Sequence, residues 1–275
     1  MFGGHDAHVK RTCDAIANVV ETPAFEGPSY DDLTKLLICM TPRSGSQYLG
    51  SVLRDNGLGL AHEHFRYTGG SIEDVTRQFG LKTFEDFVRN RIEKNIAAGG
   101  VFSAKADWMQ FLPVYYLGAF HHYFRSAHYV YLTRRDRLDQ AISRYIATES
   151  RYFHTTYHAH KDAVELVPFS AAGIKAHLDH IMALENAWEQ FFLSEGIAPL
   201  RIYYEDLASD TAGVLSSIFV FLGRERPADL LLETEFQIVR TGKNEAFKEL
   251  FRRTRQEERA TFTAEFTAEK TGEGS

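Results

Sequence analysis

The stretch Leu36-Leu37-Ile38-Cys39-Met40-Thr41-Pro42-Arg43-Ser44-Gly45-Ser46-Gln47-Tyr48-Leu49 decides the fold. An apolar run of strand character passes into a short loop of Arg, Gly and hydroxyl residues. The loop opens a segment whose apolar positions, Tyr48, Leu49, Val52 and Leu53, recur at helical spacing. A helix start presents backbone N–H groups without intrahelical partners and the positive end of its dipole, so this strand–loop–helix layout makes an anion pocket. Arg43 adds a fixed charge, Ser44 and Ser46 add hydroxyl donors, and Gly45 lets the backbone approach a phosphate closely. The GxxxxGK[ST] pattern, with its Lys and Mg2+-binding hydroxyl, is absent. That points away from ordinary nucleoside triphosphate chemistry and toward a phosphate-bearing ligand held without a required metal.

Working outward, four short apolar runs read as strands: Leu36–Thr41, Val101–Lys105, His128–Thr133 and Leu200–Tyr204. Helical patterns separate them, and this alternation predicts an α/β fold, a P-loop-like parallel sheet with helices on both faces. Ser170–Leu193 is the longest periodic segment, with Ile174, Leu178, Ile181, Leu184, Trp188 and Phe191 on one face and Gly196 to stop it. Ser209 or Asp210 caps a further helix through Phe221. A helix is expected at Val9–Val20 within a lead-in of residues 1–35. The main domain spans 36–251, and 252–275 form a charged tail. Arg66–Asn95 and the aromatic- and His-rich Ser150–Pro168 fit the alternation poorly. Such inserts form lids or substrate walls over strand C-termini, here an insert-built acceptor pocket.

A chain of 275 residues that is 44% hydrophobic can bury a full core. Its net charge of −6 argues against a general nucleic-acid binder. Arg134, Arg135, Arg137 and Arg144 nevertheless cluster as an anion-site candidate, whereas Arg252, Arg253, Arg255 and Arg259 read as a solvated helix face. Cys13 and Cys39 lie far apart, which suits a reducing cytoplasm rather than a disulfide scaffold. Neither a signal-type N-terminus nor a run of 18 apolar residues is present, so no membrane span is expected.

The second constellation is Tyr131-Leu132-Thr133-Arg134-Arg135-Asp136-Arg137-Leu138-Asp139-Gln140-Ala141-Ile142-Ser143. A strand ends in an Arg pair, and the helix that follows turns Leu138, Ala141, Ile142 and Tyr145 inward. Arg135 at the strand end could grip a phosphate bidentately, and Ser143, one turn after Asp139, could add a hydroxyl. The alternative is a surface Arg-Arg-Asp-Arg cluster with internal ion pairs.

Together these two constellations resemble the sulfotransferase superfamily. Thr41-Pro42-Arg43-Ser44-Gly45-Ser46 is similar to its loop for the 5′-phosphosulfate of 3′-phosphoadenosine 5′-phosphosulfate (PAPS). Arg135 and Ser143, eight apart, resemble its 3′-phosphate motif, and Tyr204-Glu205-Asp206-Leu207 resembles another recurrent block. The Arg in the loop and the Arg-Arg-Asp-Arg…Gln140-Ala141-Ile142-Ser143 wording are most similar to the bacterial trehalose 2-sulfotransferase-like family. The resemblance spans Leu36 to Gly223, and more weakly Arg240–Arg253. Gln47 stands where that family usually has Thr; its amide can still donate to a phosphate, at a different reach.

The resemblance implies PAPS as donor, no required metal, direct in-line transfer to a hydroxyl of a small acceptor such as a carbohydrate, and a homodimer. It implies Arg43, Ser44, Gly45, Ser46, Gln47, Arg135 and Ser143 as the cofactor-binding set. Arg240, in Arg240-Thr241-Gly242-Lys243, is a further contact or merely part of a basic turn. Arg43 and Lys105 suit the charge building on the leaving oxygens. Lys105 ends its strand at the edge where ligands bind in such sheets; the alternative is a strand-end Lys reaching solvent. Glu63, in His62-Glu63-His64-Phe65, resembles the family's proposed catalytic Glu and is the first choice for the base that takes the acceptor's proton. Asp107, His62 and His64 stay open as alternatives. His154, His158 and His160, with Tyr152 and Tyr157, fit an acceptor-pocket lining better than a metal site, for want of Cys or an HExxH partner. Trp188 reads as core and Trp108 as a border of the acceptor pocket. Two rival readings are a nucleotide- or carbohydrate-binding protein without turnover and a P-loop small-molecule kinase.

Overall fold

The structure, a computed structural model, describes residues 3–67, 71–153, 162–234 and 242–271. In chain order the elements are α1 (Gly3–Ala17), β1 (Thr34–Met40), α2 (Ser46–Asp55), α3 (Ser71–Phe79), α4 (Phe84–Glu93), β2 (Val101–Ala106), α5 (Trp108–Tyr116), a π-helical turn (Phe120–Phe124), β3 (His128–Thr133), α6 (Arg137–Ser150), α7 (Ala163–Leu166), α8 (Ala171–Glu195), β4 (Leu200–Tyr203), α9 (Tyr204–Ser209), α10 (Thr211–Phe221) and α11 (Gly242–Thr271). The chain divides into two compact units, Met1–Arg135 with Ala183–Gln237, and Asp136–Met182 with Ile238–Ser275.

The first unit holds the sheet. Its four strands lie in the order β2-β1-β3-β4, and every pairing is parallel. Alternate residues face opposite sides of a strand, and both sides here are covered. Leu37 and Cys39 of β1, Phe102 and Ala104 of β2, and Tyr129 and Tyr131 of β3 pack with Trp108, Phe111, Trp188 and Phe191. Leu36, Ile38 and Met40, with Val130 and Leu132, pack on the other side with Leu49, Val52 and Leu53 of α2 and Leu215 and Ile218 of α10. The fold is the expected α/β sheet with helices on both faces. Register places Ile38 beside Lys105, and Cys39 beside both Ala106 and Tyr131. Parallel strands in this register discharge the β1 loop, Lys105 and the Arg134–Arg135 pair at one edge of the sheet.

Two expectations are corrected in this unit. Trp108 does not border a pocket; it is 6% exposed, and its ring meets Trp188 edge-on with centroids 5.1 Å apart. As the first residue of α5 it turns back over the sheet, where its large apolar area is best buried. The first helix is Gly3–Ala17 rather than Val9–Val20, while Ile16 and Val20 still anchor the lead-in to the core. Trp188 is fully buried as expected, and its Nε1–H donates to the carbonyl of Met40 at 3.2 Å, pinning the last strand residue before the loop. Truncating Trp188 to Ala removes both effects and is expected to cost about 3–5 kcal/mol in urea unfolding.

In the second unit Ala141, Ile142, Tyr145 and Ile146 of α6 pack with Ile174 and Ile181 of α8 and with Phe247 and Phe251 of α11. Lys248 holds the start of α6, with Nζ 3.0 Å from Asp136 and 3.2 Å from Glu245. The charged residues after Arg252 continue α11 without a break, with Arg253–Glu257 at 3.8 Å and Arg255 paired to Glu258 along an exposed face. Asp210, rather than Ser209, caps α10 by accepting from Gly213 N–H. Among the described residues no helix is long and apolar enough to cross a membrane. His154, Tyr157, His158, His160 and Arg240 lie outside the described residues.

Candidate active site

The loop after β1 is built around backbone conformations that side chains resist. Arg43 adopts φ +67° and Gly45 φ +87°. A Cβ on Gly45 would lie 2.6 Å from Cδ2 of Tyr204, so glycine is required both by the left-handed backbone and by the aromatic ring against it. Gly45 is the N-cap of α2 and has no side chain to occupy the first helical amides. Ser44 is fully buried and among the described residues its Oγ has no hydrogen-bond partner; a buried hydroxyl in that state can still donate to an acceptor. Ser46 is buried, while Arg43 and Gln47 are half-buried. Gly45→Ala is expected to weaken anion binding about tenfold or more in calorimetry, since strain of this kind is worth roughly 1–3 kcal/mol.

Arg134 supports this loop from behind. It is 9% exposed, its guanidinium lies 4.3 Å from the ring centroid of Tyr204, and its Nη1 lies 3.5 Å from the carbonyl of Arg43. Arg135 behaves differently. Its Nη1 and Nη2 donate to both carboxylate oxygens of Asp206 at 2.8 and 2.7 Å, and its backbone N–H donates to Glu205. The guanidinium also stacks on Tyr203 at 4.2 Å. The pair is half exposed, so Arg135 is presented at the sheet edge and held there by Asp206. Arg135 closes the first unit; Ser143, half-buried on α6, belongs to the second.

The catalytic candidates gather on the other side of β1. Lys105, the penultimate residue of β2, is 1% exposed, so it does not reach solvent. Among the described residues its Nζ has no hydrogen bond, and it is paired with Oε1 of Glu63, 3.9 Å away. Burial pushes its pKa down to about 8, with Glu63 pulling upward. Glu63 is brought there by backbone pairing. Lys105 N–H donates to the carbonyl of His62 at 2.9 Å, as a short parallel bridge joins His62 to Ala104 on the outer edge of β2. The turn leading in is locked by Ser103, whose hydroxyl donates to the carbonyl of Leu58. Gly59, at φ +91°, leaves the room a Cβ would take 2.7 Å from Ser103 Oγ.

Two of the alternatives for the base, Asp107 and His64, hold hydrogen bonds elsewhere. Asp107 is the N-cap of α5, accepting from Gln110 N–H at 2.9 Å. His64 is buried, its Nε2 lies 2.8 Å from the carbonyl of Leu60, and burial lowers its pKa to about 4. His62 is solvent-exposed; desolvation first, then Lys105 and Arg54, lower its pKa. Glu63 is the carboxylate that faces the buried lysine. The sequence did not single out Gln110, whose Nε2 donates to Oε2 of Glu63 at 2.8 Å. The signal was present as Asp107-x-x-Gln110, the spacing of a capping box.

A glycine-containing loop at a helix start, a buried lysine and a carboxylate thus lie at the C-terminal edge of the parallel sheet of a P-loop-like α/β fold. The chain belongs to the Stf0 sulphotransferase family, whose sequence model matches residues 116–257, just over half of its length. The matched span contains Arg135, Ser143 and Asp206; the loop after β1, Glu63 and Lys105 precede it. Solved structures with a similar chain course include a sulfotransferase from Alicyclobacillus acidocaldarius (16% identity, TM-score 0.44, covering 82% of this chain and 92% of that one). Another is the sulfotransferase domain of the Synechococcus PCC 7002 olefin synthase (17%, 0.39, 77% and 79%). A third is mouse sulfotransferase SULT7A1 complexed with PAP (15%, 0.39), where the match covers 72% of this chain and 64% of that one, less than two thirds of its length. A search of curated protein sequences returned no match.

Proposed function

We propose that this protein transfers a sulfuryl group from PAPS to a hydroxyl of a small acceptor, a carbohydrate first among the classes to test, by direct in-line displacement. The observation that carries the reading is a pair of buried donors without a hydrogen bond among the described residues, Ser44 Oγ in the loop between β1 and α2 and Lys105 Nζ near the end of the neighbouring β2. An anion is what satisfies a buried ammonium and a buried hydroxyl together. On this reading Arg43, Ser44, Gly45, Ser46 and Gln47 would hold its 5′-phosphosulfate, and Arg135 its 3′-phosphate.

The donor supplies the sulfuryl group and a phosphate leaving group. Oxygen of the acceptor hydroxyl forms the new O–S bond as the S–O bond to phosphate breaks and its electron pair stays with the phosphate oxygen. Glu63 takes the hydroxyl proton. Arg43, Lys105 and the α2 amides stabilise the charge that builds on the leaving oxygens, and preorganised donors of this kind cost nothing to reorient during reaction. The resemblance to the trehalose 2-sulfotransferase-like family, and no single residue, makes trehalose-like disaccharides the first acceptors to screen.

The deciding experiment is metal-free calorimetry of adenosine 3′,5′-bisphosphate (PAP), AMP and ATP, followed by acceptor screening with PAPS. Micromolar binding selective for PAP supports the reading; preference for ATP with Mg2+ overturns it, and tight PAP binding without turnover on any acceptor supports a binding protein instead. Arg135→Ala is expected to weaken PAP far more than AMP. Asp206→Asn should tighten PAP about two- to fivefold by releasing the guanidinium from an exposed ion pair. Equal losses for PAP and AMP in Arg135→Ala would remove Arg135 from the 3′-phosphate.

A further inference from the structure

We propose that Gln110 is the positioning residue of the site: it clamps Oε2 of Glu63 and leaves Oε1, the oxygen beside Lys105, as the atom that receives the acceptor's proton. The inference rests on the reading of Glu63 as base and adds which atom acts and what aims it. Gln110 donates through Nε2 to Oε2 of Glu63 at 2.8 Å, a good hydrogen bond to a carboxylate. Oε1 lies 3.9 Å from Lys105 Nζ, within ion-pair range and beyond hydrogen-bond distance. Oε2 is therefore held by a hydrogen bond, while Oε1 keeps its lone pairs for chemistry.

The amide of Gln110 is itself oriented. It stands at the third position of α5, where Asp107 Oδ1 accepts from its backbone N–H at 2.9 Å and its own Oε1 faces Asp107 N–H at 3.4 Å. With the carbonyl oxygen turned toward the cap, the NH2 group points to Glu63. Asp107, which follows β2 by one residue, thereby acts on Glu63 through the helix start rather than as a base. The two ends of the relay are also tied by backbone, since His62 pairs with the β2 edge just before Glu63. Glu63 is 26% exposed at the side chain, so without the clamp it could swing to solvent.

A purely structural reading makes Gln110 only half of a capping box, and one substitution separates the two. Glu at this position serves a capping box as well as Gln does, but a carboxylate cannot donate to Glu63. Gln110→Glu is therefore expected to keep its melting temperature within about 2 °C and its PAP affinity within about twofold. Its kcat should fall roughly 10- to 100-fold at neutral pH with the donor KM unchanged. The acid limb of its kcat profile should move up by about one unit, since two facing carboxylates share a proton. Unchanged kcat and an unchanged limb, while Glu63→Gln is inactive, would overturn the clamp and leave Glu63 as base. Full turnover in Glu63→Gln would instead sink the reading beneath it.

A second measurement needs no acceptor. In protein labelled with 13C at lysine Cε, the Lys105 resonance, assigned by its loss in Lys105→Met, titrates near the value of about 8 set by burial and by Glu63. Gln110→Leu should move that midpoint down by about half a unit or more, because Glu63 is no longer held against the ammonium. A midpoint that stays in place shows that Gln110 does not position Glu63.

Discussion

Glu63→Gln is expected to lower kcat about a hundred- to ten-thousandfold, the usual worth of a positioned general base, with PAP affinity unchanged. Gln keeps the size and the capacity to accept from Gln110 Nε2, so the fold should not change. What it loses is the ability to take a proton. Single-turnover rates measured with saturating PAPS separate this from a binding defect, and a variant that turns over at the parental rate shows that another group is the base. The geometry makes the outcome sharp, since Asp107 is committed to the α5 cap and His64 to the carbonyl of Leu60.

Lys105→Met is expected to cost about a hundred- to thousandfold in kcat, as for loss of one preorganised donor to a developing charge, while making the protein more stable. The lysine is 1% exposed and its pKa is lowered from 10.5 to about 8, so folding disfavours its charged form. The sign follows from linkage: below pH 8 the ammonium is charged in both states, and the folded state carries the full penalty, on the order of 3 kcal/mol. As pH rises from 8 toward 10.5 the folded lysine is already neutral, and the penalty fades. The Met variant should therefore exceed the parent in urea stability at pH 7 and converge with it above pH 10. A destabilised variant would mean that Lys105 is held for packing or for its ion pair rather than for a ligand. The same titration gives kcat/KM an alkaline limb near pH 8, and bound anion should move the limb of kcat higher.

These expectations show how unevenly the site was legible. The strand–loop–helix around Gly45 and the strand ends at Lys105 and Arg135 could be read directly, because local patterning specifies them: an apolar run of strand length, a glycine where φ must be positive, a helix whose apolar face recurs. The pairing of Arg135 with Asp206 could not. Seventy-one residues separate the two, and only the β3–β4 register brings them together. Trp108 was misplaced for a related reason: beside a candidate lysine it looked like a pocket wall, yet the first turn of α5 carries it into the aromatic core under Trp188. Gln110 was visible as half of a capping box, but its second bond depends on a segment almost fifty residues earlier.

By itself, then, the sequence determined the class of fold, the strand ends to within a residue and the start of α2. Each of these is set by periodicity, backbone preference and charge within some fifteen residues. The tertiary structure alone decided which donors are left without partners and which are already used. Burial left Ser44 Oγ and Lys105 Nζ without hydrogen bonds among the described residues, Asp107 caps α5, His64 is hydrogen-bonded inward, and the edge pairing of His62 on β2 set Glu63 against its lysine. Such assignments depend on desolvation and on contacts between distant segments, and neither is written in local pattern.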